Sequence, residues 1–288
     1  RRRGRRVRLH GIHHVTAITA DGPANAEFYG GVLGLRLVKK TVNFDDPGAY
    51  HLYYGDELGR PGTALTFFEY PGARLGRAGE GMVTRIDWSV PGDDALDWWE
   101  RHLAGRAATE RGASHLDVWD PEGLVTRLVA LPESAGAPHA HAPHVPAEAA
   151  LRRMIGVQAH ARDPEASAAV LEALGFERAG GAWRTGDGVY DLVVADGEPA
   201  IGGAGTTHHV AWASTDDDHP RWLERAAQAG VHATPIVDRD YFRSIYFREP
   251  SGVLFELATD GPGFAVDEPV DALGTTLRLP RQHEHLRP

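Results

Sequence analysis

Three short stretches hold the residues most capable of chemistry. Gly11–Thr16 reads GIHHVT, Thr206–Trp212 reads TTHHVAW, and Glu249–Leu257 reads EPSGVLFEL. Adjacent residues on a strand point to opposite faces, so each His-His pair can send one imidazole to a given side. One such pair is readily an interior packing arrangement, whereas two in equivalent β-branched surroundings read as two halves of one site. Glu256 stands between Phe255 and Leu257, after Val253 and Leu254. A carboxylate there is costly to bury without a partner, and a metal is the simplest partner.

The elements that must position these residues recur four times. In each copy a β-branched stretch is followed by a helical pattern ending near Gly and then by several short strands. The helical patterns cover Pro23–Leu33, Asp93–Leu103, Pro164–Leu174 and Asp217–Ala229, with apolar residues at helical spacing, as in Leu96, Trp99 and Leu103. Asp21-Gly-Pro, Asp163-Pro and Asp216-Asp-Asp-His-Pro place capping residues and prolines at three helix starts. Asp120-Pro-Glu-Gly and Glu249-Pro-Ser-Gly each feed a closing strand; Pro presets φ and Gly supplies positive φ, which makes a hairpin turn. Each unit therefore reads β-α-β-β-β.

Aligning the units turns the repeat into a filter. At the position of His14 the later units carry Ile86, Ala159 and His209; at the position of Glu256 the earlier ones carry Thr66, Arg127 and Leu192. The scaffold does not demand a polar group at either place, and His14, His209 and Glu256 stand out as the candidate metal ligands. Two neutral imidazoles and one carboxylate make the facial set of non-haem Fe(II) oxygenases, which leaves positions open for substrate and O2.

The expected fold class is α+β: four βαβββ modules paired into two domains with curved mixed β-sheets. The N-terminal domain is expected over 8–132, with units one and two sharing a sheet. The C-terminal domain over 150–260 would pair units three and four. Residues 133–149 read as a flexible Pro/Ala/His linker, in which His139, His141 and His144 are better explained by composition than as a metal site. Residues 261–288 form a C-terminal tail.

The 288 residues carry a formal charge of −10 and no Cys. This charge argues against a nucleic-acid binder, and the missing Cys leaves nitrogen and oxygen donors for any metal. Arg1, Arg2, Arg3, Arg5, Arg6 and Arg8 form one basic cluster. With no apolar stretch behind it, it is expected to be an unstructured start rather than a secretory signal. No apolar run approaches the ~20 residues of a membrane helix, and a cytoplasmic location without membrane association is expected.

The four units together with GIHHVT, TTHHVAW and EPSGVLFEL resemble the vicinal oxygen chelate superfamily, which includes glyoxalases, bleomycin-resistance proteins and extradiol dioxygenases. Tyr50–Thr63 (YHLYYGDELGRPGT) and Asp238–Arg248 (DRDYFRSIYFR) are similar, more narrowly, to the hydroquinone dioxygenase branch. The resemblance implies an Fe(II)-dependent ring-cleaving dioxygenase acting on a small hydroquinone- or catechol-type aromatic and O2, with one iron ligand from the first unit and two from the last. It also implies supporting or catalytic roles for His13, Thr16, His208, Arg239 and Tyr246. Simple alternation points His208 away from the metal; a bulge would bring it back. A glyoxalase-like metal-dependent lyase or isomerase and a non-catalytic small-molecule (drug) binder are the alternatives, and association into a homo-oligomer is compatible with paired modules.

Overall fold

The computed structural model describes residues 7–195 and 197–287, so Arg1–Arg6 of the basic cluster lie outside the described residues. The first unit comprises β1 (Ile12–Thr19), α1 (Gly22–Ala26), β2 (Arg36–Val42), β3 (Tyr50–Gly55) and β4 (Ala64–Glu69). The second comprises β5 (Met82–Val90), α2 (Asp93–Leu103), β6 (Ala108–Arg111), β7 (His115–Trp119) and β8 (Val125–Ala130). The third has β9 (Met154–Ala161), α3 (Ala168–Ala173), β10 (Glu177–Ala179), β11 (Ala182–Thr185) and β12 (Gly188–Val194). The fourth has β13 (Thr207–Ser214), α4 (His219–Gln228), β14 (Val237–Asp238), β15 (Arg243–Arg248) and β16 (Leu254–Thr259).

Local chemistry accounts for the element starts. Asp21 accepts a hydrogen bond from the Ala24 amide ahead of α1, and Asp163 one from Glu165 ahead of the 3₁₀ turn that leads into α3. α1 continues as a wider π turn over Glu27–Val32. The two acidic-Pro-x-Gly turns form alike. Asp120 caps the amides of Glu122 and Leu124, Glu249 those of Ser251 and Val253, and Gly123 and Gly252 take φ of 97° and 99°.

The fold class expected from the repeat is the one adopted, an α+β arrangement with two mixed eight-stranded sheets. Their orders are β14-β15-β16-β13-β1-β4-β3-β2 and β10-β11-β12-β9-β5-β8-β7-β6. The expected partnership of neighbouring units is corrected. Unit one pairs with unit four through antiparallel β1 and β13, and unit two pairs with unit three through β5 and β9. Periodicity identifies the strands of a unit but carries no information about which unit its first strand meets. The chain nests the inner pair of units inside the outer pair.

Register also refines the equivalence of positions. Thr66 pairs with Thr16, two residues beyond His14, as Glu256 pairs with Ala211, two beyond His209. The same count from Ile86 and Ala159 reaches Leu128 and Val194 in place of Arg127 and Leu192. Neither is a ligand type, so the filter keeps its result.

One face of each sheet enters a continuous core that includes Trp88, Trp99, Trp212 and Trp222. A smaller cluster with Val38, Tyr53, Phe242 and Ala258 lies across the other face of the first sheet, and Phe264 and Leu273 of the tail complete it. The tail is fastened there. The Arg278 amide donates to Lys40 O at 2.9 Å, and the buried Lys39 ammonium is paired with Asp267, at 2.6 Å, and with Glu268. His283 contacts Phe44 O through Nε2 at 2.8 Å, fixing the loop that follows β2. The Pro/Ala/His segment is likewise held down, contrary to the expected free linker. His141 engages Glu57 through its amide at 2.7 Å, and Arg152 reaches Ala137 O. Among the described residues no helix is long and apolar enough to cross a membrane.

Candidate metal centre

Alternation along β1, β13 and β16 sends Val15, Val210, Phe255 and Leu257 into the main core and His14, His209 and Glu256 to the opposite face. There the three converge. His14 Nε2 and His209 Nε2 lie 3.2 Å apart, and Glu256 Oε2 is 3.2 Å from the first and 2.9 Å from the second. All three are buried, Glu256 completely. They form the one cluster of His, Asp or Glu donors found among the described residues with spacing suited to a metal ion. No His of the linker joins it or forms another.

The surrounding hydrogen bonds fix which atoms face the centre. Thr259 O can only accept, so the contact from His13 Nε2 at 3.1 Å requires His13 to carry its proton there. His13 Nδ1 is then an acceptor, and the 2.9 Å contact makes His14 Nδ1 the donor. A neutral His14 with its proton on Nδ1 turns the Nε2 lone pair toward Glu256 and His209. Glu256 Oε1 accepts from Ser244 Oγ at 2.5 Å, while Oε2, buried, has no aligned hydrogen-bond donor. Acceptors converging on one buried point are satisfied by a cation, so the donor set fits a divalent metal held by nitrogen and oxygen. Burial works to raise the Glu256 pKa, but positive charge on His14, then hydrogen bonds from protonated His14 and His209, would hold the carboxylate well below the usual range, the part a divalent ion would play when both rings are neutral ligands. Burial keeps His209 below its usual value, with Glu256 opposing. It drives His13 down to about 3, aided by His14.

Both extra histidines occupy irregularities of the β1–β13 seam. Ile12 faces Trp212 and His14 faces Ala211, leaving His13 as the additional residue; Thr16 faces His209 and Ala17 faces Thr207, leaving His208. Such bulges re-aim side chains. His13 turns inward, buried, behind His14. His208 lies at the rim of the cavity over the centre, its ring edge-on to Phe68 at 5.3 Å and its Nδ1 2.8 Å from His209 Nδ1. Desolvation by the wall, then His209 and Arg248, lower it to about 3 even though part of the ring is exposed, so it is neutral near pH 7. Replacing His13 by Ala is expected to leave the ligands in place and weaken metal affinity ~10–100-fold, the usual cost of an outer partner. A chelator competition would read this, and an unchanged affinity would reduce His13 to packing.

The cavity holds about 370 Å³ and carries Phe44, Phe68, Phe242 and Leu254 on its apolar wall. Tyr246 sits directly across the β15–β16 ladder from Glu256, and its ring lies 6.0 Å from that of His209. Arg239 Nε donates to Tyr246 OH at 3.1 Å. Burial, then Glu256, raise the Tyr246 phenol, so it remains a hydrogen-bond donor. Thr16 shares the face of His14 but does not line the cavity; its hydroxyl meets Thr66 Oγ1 at 2.8 Å.

That contact leads to residues the motifs did not single out. Thr66 Oγ1 is 2.8 Å from His51 Nε2, and His51 Nδ1 is 2.8 Å from Tyr53 OH. His51 and Tyr53 both line the cavity, and the two-residue spacing in Tyr50-His-Leu-Tyr carries the signal that they share a face. The same spacing links Ser244 to Tyr246. Asp45, on the loop after β2, pairs with Arg239, and nothing in the sequence pattern marks it.

The family model described as Glyoxalase/Bleomycin resistance protein/Dioxygenase superfamily matches residues 11–108 and 92–257. MhqO of Bacillus subtilis (strain 168), a ring-cleaving dioxygenase by name, is 41% identical over 95% of this chain and 92% of its own length. The chlorohydroquinone/hydroquinone 1,2-dioxygenase of Sphingobium indicum is 32% identical over 97% of this chain and 94% of its own. A crystal structure of a B. subtilis protein titled as a dioxygenase superposes with a TM-score of 0.89 at 40% identity, covering 98% of this chain and 95% of that one. Glyoxalase I of Zea mays shares the fold, with a TM-score of 0.59 at 15% identity over 87% of this chain and 92% of its own.

Proposed function

Because the chain belongs to the glyoxalase/bleomycin resistance protein/dioxygenase superfamily, we propose that it is an Fe(II)-dependent ring-cleaving dioxygenase whose substrate is a small hydroquinone-type aromatic. The observation that carries this reading is the convergence of His14, His209 and Glu256 at the floor of a cavity of single-ring size. The relative named for hydroquinone cleavage supports the para-diol over a catechol.

In this reading His14, His209 and Glu256 hold the iron. Bound there, Fe(II) supplies the one-electron chemistry that lets triplet O2 react with a closed-shell phenol. Ser244 orients the Glu256 carboxylate, and the Thr259–His13 chain holds His14 in its ligating tautomer. Phe44, Phe68 and Phe242 enclose the aromatic ring and exclude water. With its Nε2 kept for the metal, His209 donates from Nδ1 to His208 Nδ1, and the neutral His208 at the rim would donate from its own Nε2 to a substrate oxygen. Tyr246, oriented by Arg239 Nε, donates a hydrogen bond to an oxygen atom as it gains charge. Thr16, through Thr66, keeps His51 and Tyr53 in place along the wall.

A glyoxalase-like lyase on the same scaffold ordinarily takes four protein ligands, and three converge here among the described residues. A drug-sequestering binder needs no buried triad. The test is an oxygen-electrode assay of protein loaded anaerobically with Fe(II), against substituted hydroquinones and catechols. Consumption of one O2 per hydroquinone with loss of the aromatic absorbance is expected. Absence of oxygen uptake with every diol, or turnover of a thiohemiacetal with Zn(II) or Ni(II), would overturn the assignment.

A further inference from the structure

Among the described residues, Arg239 is the one Lys or Arg that lines the cavity over the metal centre. Its guanidinium has two working edges. Nε is directed to Tyr246 OH, and the Nη1/Nη2 fork is closed by Asp45, at 3.1 Å to Oδ1 and 2.8 Å to Oδ2. The fork is the part of an arginine whose geometry matches a carboxylate, and this chain has filled it with its own. Arg239 is largely covered, with 14% of its side chain exposed, whereas Asp45 is 73% exposed at the mouth of the cavity.

Asp45 is held there independently of Arg239. Its amide donates to Asn43 Oδ1 at 3.0 Å, Asn43 N donates to Ala49 O at 2.8 Å, and the Phe44 carbonyl is tied to the tail through His283. Val237 and Leu254 join the three phenylalanines on the wall, and its other polar groups outside the metal centre, among them Asn43, His51, Tyr53 and Thr234, are uncharged side chains. An ionised carboxylate on the substrate ring would lose water on entering and meet the charge of Asp45 at the mouth, with no Lys or Arg fork left open among the described lining residues to receive it.

We infer that Asp45 is a specificity-determining residue: by occupying the fork of Arg239 it admits dihydroxybenzenes with uncharged substituents and rejects ring-carboxylated ones. The inference rests on the reading of the cavity as a ring-diol site. It assigns Asp45 a role exerted through Arg239, so Asp45 is a positioning residue that also sets the charge of the acceptable ligand.

The experiment is calorimetric titration of anaerobic, Fe(II)-loaded protein with hydroquinone and with 2,5-dihydroxybenzoate, which differ by the carboxylate. The wild type is expected to bind hydroquinone and to bind the carboxylated diol at least ~10-fold more weakly. Asp45→Asn and Asp45→Ala should shift the ratio of the two affinities toward 2,5-dihydroxybenzoate by ~10-fold or more, the scale of one freed charge-assisted bidentate contact. Asp46→Asn removes the same charge from the same loop without touching Arg239, and should move the ratio little. A wild type that prefers the carboxylated diol, a ratio unchanged in both Asp45 variants, or an equal shift in Asp46→Asn would each overturn the filter. A wild type that binds neither diol would overturn the ring-diol reading, and the filter with it. Loss of secondary structure is separable by circular dichroism.

Discussion

Replacing Glu256 by Gln is expected to strip the metal from the centre while leaving the fold intact. Glutamine keeps the length of the side chain and an oxygen for Ser244 Oγ, but loses the negative charge that two imidazoles and a divalent ion require opposite them. Outer-shell losses already cost ~10–100-fold in metal affinity, so loss of a ligand's charge should cost more than ~100-fold, with turnover falling in proportion. His14→Ala should do the same from the other side of the sheet seam. Elemental analysis after desalting, with circular dichroism as the control for folding, decides the matter. Stoichiometric metal in either variant would mean that the ligands have been assigned wrongly.

The second large effect concerns Arg239 and Tyr246, which touch none of the ligand nitrogens. Tyr246→Phe removes one hydroxyl opposite Glu256, and Arg239→Leu removes the group that orients it. Both variants should retain iron while losing ~10²–10³ in turnover, the scale of a deleted oxyanion-hole donor. The Phe variant is the cleaner of the two, because Arg239→Leu also leaves Asp45 without its partner. Oxygen consumption by stopped flow on iron-matched samples is the measurement. Near-normal rates in both would return the pair to packing and leave His208 as the main polar group at the rim.

Much of this site is legible in the sequence because the repeat supplies its own control. His14, His209 and Glu256 stand out against Ile, Ala and Thr at equivalent places, and the bulge proposed to rescue His208 is present at that residue. The strands, helices and hairpin turns follow from period, caps and acidic-Pro-x-Gly chemistry, which are local. What escaped is non-local. Which unit's first strand meets which depends on edges and on the whole chain's closure, and no periodicity encodes that. Asp45 reaches Arg239 across 194 positions from an irregular loop. The tail's hold on Lys39 and on the Phe44 loop joins segments whose composition, taken alone, says only that they are polar and Pro-containing. His51 and Tyr53 lay in the open in a two-residue spacing, but they carry no departure from the repeat as clear as the triad's.

The nested pairing of units has a consequence for how the protein comes into being. His14 precedes His209 by 195 positions and Glu256 comes later still, so the three candidate ligands leave the ribosome far apart in time. During most of synthesis β1 has no β13 to pair with, so half of the outer sheet ends in an open edge while the inner two units can already complete theirs. The inner sheet is therefore expected to close before the outer one, and the candidate metal centre to be completed only once β13 and β16 have joined β1. A chain that stops before β16 lacks Glu256, so it is expected to hold a metal ion far more weakly than one that carries all four units.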